Sequence, residues 1–112
     1  MDNIKNDKYY LLKIINDIDK VISYSKGLSF EEFLEDEIVV DSILFRLIQI
    51  SESIKKLSTD FKNKHNNIPW IDIAGFRNRI VHDYDSTDYS IVYEIVKKDL
   101  PEIRNILITN IK

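Results

Sequence analysis

Apolar residues recur at steps of three and four along most of this chain, which is the spacing of one face of an α-helix. The first such stripe runs from Leu11 to Ile22, and polar side chains fill the gaps between its members. Gly27 follows at the position where a glycine typically ends a helix. The pattern therefore predicts a first amphipathic helix that stops before Gly27.

Two more helical elements are predicted next. Ser29, with Glu32 three residues later, matches a capping box and indicates a short helix that starts at Ser29. A second long stripe of helical spacing then covers about 38–57 and predicts the central helix of the fold. The wholly polar stretch 62–67 is predicted to be a loop, with one more helical turn allowed from Thr59.

The last third of the chain predicts two further helices. Pro69 suits the first turn of a helix, and a third apolar stripe covers 70–81. Turn-forming residues interrupt this stripe over 83–87. A final stripe covers 91–111, with a break or kink expected near Pro101 because proline has no N–H to donate.

Composition supports a helical fold. Two Gly and two Pro among 112 residues leave too little turn chemistry for a many-stranded sheet. Four main helices with short connections bury their stripes only against one another, so the sequence predicts an all-α fold, a single-domain antiparallel bundle of four to five helices over residues 1–112.

The absence of Cys excludes disulfides and thiolate metal sites, and no apolar run suits a signal peptide or a membrane span. A cytoplasmic protein is therefore expected.

The net charge of -3 hides a strong polarity along the chain. Residues 46–82 carry seven basic and three acidic side chains, whereas the remainder carries nine basic and 16 acidic ones. Six of those acids fall within 31–41, with no base among them. Charge runs of this kind are usually solvated faces. A basic segment on an acidic protein is also compatible with phosphate binding, although not with strong non-specific nucleic-acid binding.

Reactive side chains concentrate in the segment 75–84, which holds one of only two His residues. On an ideal helix Asn78 and His82 share a face, whereas Arg77 and His82 differ by about 140°. Arg77 and His82 therefore converge only if the helix ends near Val81 and His82 turns back, or if a second copy of the chain supplies one of the two.

Each of these residues also has a plain structural explanation. A histidine such as His82 suits the end of a helix, where the dipole favours a cationic side chain. Arg77 is compatible with a partly buried ion pair, for example with Glu52 across the bundle. Tyr84 fits a core aromatic residue whose hydroxyl reaches the surface.

The arrangement Arg-x4-His-x-Tyr, with Asn directly after the Arg, resembles the signature of the HEPN superfamily, and specifically the HepT-like toxins of bacterial and archaeal toxin-antitoxin pairs. The similarity covers nearly the whole chain. It includes the flanking residues Trp70, Ile73, Gly75, Phe76, Asp88, Tyr93, Asp99, Leu100 and Pro101, together with Glu52 and the run 28–34. Two departures, neither in the motif, are Tyr93, where relatives often have Trp, and 51–53, where Gly-Glu-Ala is common.

The resemblance implies a homodimeric, metal-independent endoribonuclease that needs no cofactor. Such a reaction uses the neighbouring 2′-hydroxyl of RNA as nucleophile, and it needs a base, an acid and positive charge near the phosphorane. His82 would transfer protons, because imidazole titrates near neutral pH. Arg77 would hold the phosphate through its planar fork. Asn78 would orient the imidazole or the phosphate.

The resemblance also implies how the site is assembled and controlled. A two-fold dimer would bring two His82 and two Arg77 into one cleft, so that base and acid come from different chains. Tyr84 matches the residue that a cognate minimal nucleotidyltransferase antitoxin modifies with AMP, which would block an RNA phosphate by overlap and like charge. Further candidate contacts to RNA are Arg79, Lys55 and Lys56.

Two other functions remain open. The chain is also compatible with a non-catalytic, nucleotide-binding HEPN partner of a nucleotidyltransferase, or with a structural helical adaptor. The intact motif favours the nuclease, because a scaffold has no physical need for that combination of side chains. His65 is predicted to be a solvated loop residue with at most an RNA-backbone contact. The loosely calcium-like spacing over 83–94 lacks its required glycine, so no metal site is expected.

Overall fold

The computed structural model of the protein describes residues 6–83 and 86–110. The helices in these ranges are α1 (Asp7–Ser25), α2 (Phe30–Glu35), α3 (Glu37–Lys56), α4 (Thr59–Lys64), α5 (Trp70–Ala74), α6 (Phe76–Ile80), α7 (Tyr89–Glu94) and α8 (Leu100–Asn110). A π turn, Ile95–Asp99, joins α7 to α8, and two short strands, β1 (Val81–Asp83) and β2 (Ser86–Thr87), lie between α6 and α7. The predicted all-α fold is confirmed.

The core lies between the two long helices, α1 and α3, and is closed by α8 and the short helices. The apolar stripes of the sequence supply it: Ile14 and Ile18 of α1 and Ile43, Leu47 and Ile50 of α3 are completely buried. The chain has 20 Ile among its 112 residues, and β-branched residues favour strands. Helical spacing overrides this preference, because only a helix gathers these side chains on one face.

One buried carboxylate ties α1 to α3. Asp17 is 1% exposed and accepts hydrogen bonds from Arg46 Nη1 at 2.7 Å and from Lys13 Nζ at 3.1 Å. Lys13 also donates to Gln49 Oε1 at 2.9 Å. The hydrogen bond to Asp17 raises the pKa of Arg46 above its ordinary value, so the guanidinium stays charged in the folded state. The two helices are held by charge as well as by apolar contact.

Two predicted boundaries, the end of α1 and the start of α2, are confirmed. Gly27 takes a positive φ of 77° just beyond α1, which is the left-handed conformation that a glycine adopts at least cost. Ser29 accepts the Glu32 N–H at 3.1 Å, and the Glu32 carboxylate accepts the Ser29 N–H at 2.9 Å. This is the complete capping box, and it starts α2. Lys97 Nζ donates to the Ser25 carbonyl at the end of α1, at 2.7 Å.

The structure refines the predicted boundaries in the second half. The turn allowed from Thr59 is the helix α4, and the loop begins at His65. The apolar stripe over 70–81 forms two short helices and the start of β1 instead of one helix. The irregularity expected near Pro101 is the π turn, in which the Leu100 N–H bonds to the Ile95 carbonyl. None of the described helices combines the length and apolarity that a membrane span requires.

Candidate active site

The core holds the segment that carries the motif. Ile73 of α5 and Phe76 of α6 are both buried, so each short helix is anchored by an apolar side chain. Ser51 of α3 donates from Oγ to the Ile73 carbonyl at 3.3 Å. The central helix therefore fixes the approach to the motif through packing and through one buried hydrogen bond.

Gly75 forms the joint between α5 and α6. Its N–H donates to the Ile71 carbonyl at 3.0 Å, and its own carbonyl accepts the Arg79 N–H at 3.0 Å. A Cβ atom on Gly75 would lie 3.3 Å from the Ile71 carbonyl oxygen, which is tighter than most Cβ contacts in proteins. The missing side chain therefore lets α6 begin directly against the end of α5.

The backbone changes from helix to strand just before His82. Helix α6 ends at Ile80, and β1 pairs antiparallel with β2, with Val81 opposite Thr87 and Asp83 opposite Ser86. The register shifts between Val81 and Asp83, so His82 lies at a bulge. Bulges bend a strand and redirect its side chains, and they are common beside active sites. The helix therefore ends near Val81, as the first part of the sequence condition requires; the second part, that His82 turns back towards Arg77, concerns side chains outside the described residues.

The side chains of Arg77 and His82, and the whole of Tyr84, lie outside the described residues. Asn78 is exposed on α6. Glu52, the suggested partner of Arg77 in the structural explanation, has its carboxylate 3.4 Å from Lys55 Nζ.

Arg79 links the motif helix to the π turn. Its Nη1 lies 3.2 Å from the Asp99 carboxylate, and its guanidinium carbon lies 5.9 Å from the centroid of the Phe76 ring. This candidate RNA contact is therefore already engaged in an ion pair. Sequence reasoning did not assign a role to Asp99. The available signal was its place beside Leu100 and Pro101 among the residues that flank the motif.

The two candidate lysines at the end of α3 differ in their surroundings. Lys55 pairs with Glu52 one turn earlier, and both side chains are more than half exposed. Lys56 is exposed and lines a pocket between α1 and α3. Both charges suit the C-terminal end of a helix dipole.

Residues that flank the motif have structural roles. The Tyr93 hydroxyl donates to the Leu28 carbonyl at 2.8 Å, and its ring contacts those of Phe30 and Phe33. Asp88 caps α7 by accepting the Ser90 N–H at 3.1 Å, among other bonds. The segment after the motif is thereby fixed to the start of α2 and to the first turn of α7.

An all-α bundle with Arg-x4-His-x-Tyr at the end of a short helix is a HEPN-type protein. The family model described as "Ribonuclease HepT-like" matches residues 14–109. The chain therefore belongs to the HepT-like ribonuclease family of the HEPN superfamily.

Several relatives carry ribonuclease names. A "Putative RNase" of Caldanaerobacter subterraneus subsp. tengcongensis is 34% identical over 100 residues, which cover 89% of this chain and 89% of that protein. Another "Putative RNase", from Methanocaldococcus jannaschii, is 32% identical over 97 residues, covering 87% and 84%. The "Probable ribonuclease HepT" of Thermococcus cleftensis is 30% identical over 100 residues, covering 89% and 91%. No solved structure matches the chain.

Proposed function

We propose that this ribonuclease is a metal-independent endoribonuclease and the toxin of a type VII-like toxin-antitoxin pair. The observation that carries the proposal is that Arg77 and His82 fall where helix α6 gives way to a bulged strand, while Tyr84 completes the motif in the sequence. Membership of a ribonuclease family supplies the substrate class, which is RNA.

The chemistry follows from the side chains of the motif. A base removes the proton of a ribose 2′-hydroxyl, the 2′-oxygen attacks the adjacent phosphorus, and the bond to the 5′-oxygen breaks as an acid protonates that oxygen. The products are a 2′,3′-cyclic phosphate and a free 5′-hydroxyl. His82 transfers protons, and Arg77 stabilises the negative charge of the phosphorane. Asn78, exposed on the same helix as Arg77, orients the imidazole or the phosphate.

The reaction needs a base and an acid on opposite sides of the phosphorus, and the motif offers one imidazole per chain. A homodimer with the two motifs at its centre provides both. The outer face of α3 supports association, because it exposes Ile38 (79%), Phe45 (55%) and Ile48 (40%) on one ridge. Large apolar side chains clustered on a surface mark a contact with another molecule, and a second copy of the chain accounts for this one.

Control of the nuclease is proposed at Tyr84. A minimal nucleotidyltransferase antitoxin transfers AMP to the phenol oxygen, which releases pyrophosphate from ATP. The added phosphodiester places negative charge beside the cationic site and repels the RNA backbone. Co-expression with such a partner is expected to add the mass of AMP to the intact protein, and Tyr84→Phe is expected to prevent that addition.

The decisive experiment measures cleavage of RNA in excess EDTA. The wild-type protein should cut and leave a cyclic phosphate, and His82→Ala should abolish cutting while circular dichroism and gel filtration remain unchanged. His65→Ala is the matched control, because it replaces the other histidine, which lies in the turn after α4. Its cleavage rate should equal that of the wild type.

Two results would contradict the mechanism. Full activity in His82→Ala would remove its central residue, and cleavage only with added metal would replace its chemistry. Tight binding of AMP or RNA without any cleavage would instead indicate the non-catalytic, nucleotide-binding partner of a nucleotidyltransferase.

A further inference from the structure

The outward face of α3 exposes apolar side chains along its length. Ile38 is 79% exposed, and Phe45, seven residues later, is 55% exposed. Residues seven apart on a helix lie on almost the same face, so these two side chains form one stripe. An exposed apolar stripe on a helix of 20 residues suits packing against another helix.

A pocket opens on the same face towards the end of α3, and its volume is about 170 Å³. Four of its lining residues belong to α3 and follow the spacing i, i+3, i+4, i+7: Gln49, Glu52, Ser53 and Lys56. Four residues of one helix that surround a space in this way form a hole, which receives a side chain from a facing helix. The face of α3 therefore carries both an exposed apolar knob and a hole.

The knob and the hole lie at equal distances from Phe45. Ile38 precedes Phe45 by seven residues, and Glu52, within the hole, follows it by seven. A rise of 1.5 Å per residue places each of them about 10 Å from Phe45 along the helix. A two-fold contact is reciprocal. A two-fold axis beside Phe45 therefore sets Ile38 of each copy over the hole of the other.

Charge favours the antiparallel orientation. Glu37 and Asp41, two exposed acids, lie near the start of α3 and give it a charge of -2. Glu52, Lys55 and Lys56, one exposed acid and two exposed lysines, lie near its end and give +1. A parallel pair would set like charge against like at both ends, whereas an antiparallel pair sets the acidic start against the basic end.

We propose that two copies of the chain associate through antiparallel α3 helices, with Phe45 against Phe45 on the two-fold axis and Ile38 of each copy in the hole of the other. Glu37 and Lys56 then lie within about 5 Å of each other along the helices. The inference rests on the proposed composite nuclease and names the surface that assembles it. Lys56, a candidate RNA contact, serves the dimer instead.

This arrangement places both motif segments on one side of the helix pair. Ser51 lies about 120° around the helix from Phe45 and holds the Ile73 carbonyl at 3.3 Å, and α5 and α6 pack against α3. Because the two-fold axis runs across both helices, each edge of α3 meets the same edge of the second copy. The two Ser51 side chains are then about 18 Å apart along the pair. Both motif segments are therefore attached to the same edge of the dimer.

Single-cysteine variants test the orientation. The chain has no Cys, so one introduced thiol reports on one position. A short bis-maleimide should cross-link Phe45→Cys to itself, because the two copies of this residue meet on the axis. Ile38→Cys should not cross-link to itself, since its copies lie about 21 Å apart along the helices. A mixture of Ile38→Cys and Glu52→Cys should give the mixed dimer, identified by mass.

Charge reversal tests the pairing of the helix ends. Lys56→Glu should raise the Kd of the dimer by about 3- to 30-fold in analytical ultracentrifugation, because each dimer contains two such exposed pairs. Adding Glu37→Lys should restore the parental Kd, since the pair is then reversed. Lys26→Glu is the matched control, because Lys26 is an exposed lysine that lines a pocket between α1 and α8. Its Kd should not change.

The outcomes separate this surface from the nuclease. Self-linking of Ile38→Cys would show parallel helices and overturn the inference while leaving the nuclease intact. A chain that sediments as a monomer and still cuts RNA would overturn both the surface and the composite site, and the face would then serve a different protein. The expected cross-links in a protein that cuts no RNA would support the surface and refute the proposed nuclease.

Discussion

Arg79 is a candidate RNA contact and also forms an ion pair within the fold. Its ion pair with Asp99 leaves the guanidinium 41% exposed and the carboxylate 25% exposed. Pairs of this kind contribute at most about 1 kcal/mol to stability, because water screens them and two side chains lose freedom. Asp99 therefore affects the charge beside the motif more strongly than it affects the free energy of unfolding.

Replacing Asp99 tests whether that charge serves RNA. Asp99→Asn should bind single-stranded RNA a few times more tightly and show a steeper salt dependence, because Arg79 is released to contact a phosphate. Filter binding over a salt series measures both. Asp72→Asn removes an exposed acid of α5 and is the control for general electrostatics. If Asp99→Asn instead slows cleavage at unchanged affinity, the ion pair positions α6.

The sequence identified single residues where the chemistry is local, and it failed where contacts are long-range. Ser29 and Glu32 were predicted as a capping box because the two residues bond within one turn. The Arg79–Asp99 pair spans 20 residues and depends on how the bundle closes. The Arg46–Asp17 bond spans 29 residues and likewise requires α1 to lie along α3, and no local pattern contains that information.

At the scale of elements, hydrophobic period predicted the long helices but not the details of the short ones. The stripe over 70–81 keeps helical spacing, yet the chain divides at Gly75 and leaves the helix at Val81. The spacing of apolar residues indicates which side of an element faces the core, but it does not indicate where the backbone hydrogen bonds change partner. The π turn before Pro101 shows the same limit, because the helical path continues there with a wider hydrogen-bond pattern.

The pairing of α1 with α3 is expected to depend on one carboxylate. Asp17→Ala should lower the free energy of unfolding by about 1.5 to 3 kcal/mol, since Arg46 and Lys13 lose a charged hydrogen-bond partner while Lys13 keeps its bond to Gln49. Urea denaturation measures the change. Asp19→Ala is the control. Asp19 also lies on α1, but its ion pair with Arg104 of α8 is at the surface, so this substitution should cost at most about 1 kcal/mol. Equal losses in the two variants would refute the special role of Asp17.

At the scale of the whole molecule, charge and apolar exposure divide the surface. The acids of 31–41 lie on α2 and the start of α3, whereas the basic segment includes the end of α3 and the motif helix. The ridge formed by Ile38, Phe45 and Ile48 begins among these acids and runs along α3 towards the basic segment. The net charge of -3 is therefore the sum of a basic region and an acidic region and describes neither of them.

A composite site at the dimer interface predicts a result that a complete site in each chain does not. If catalysis needs one His82 from each chain, a heterodimer of wild type and His82→Ala has lost either its base or its acid. After subunit exchange at equal concentrations, about half of the wild-type chains lie in such heterodimers, so RNA cleavage should fall to about half of that given by the same amount of wild type alone. His82→Ala combined with Phe45→Glu, which places a charge on the apolar ridge, should not dimerise and should leave the wild-type rate unchanged. A rate unaffected by His82→Ala subunits that do exchange would show that each chain carries a complete site.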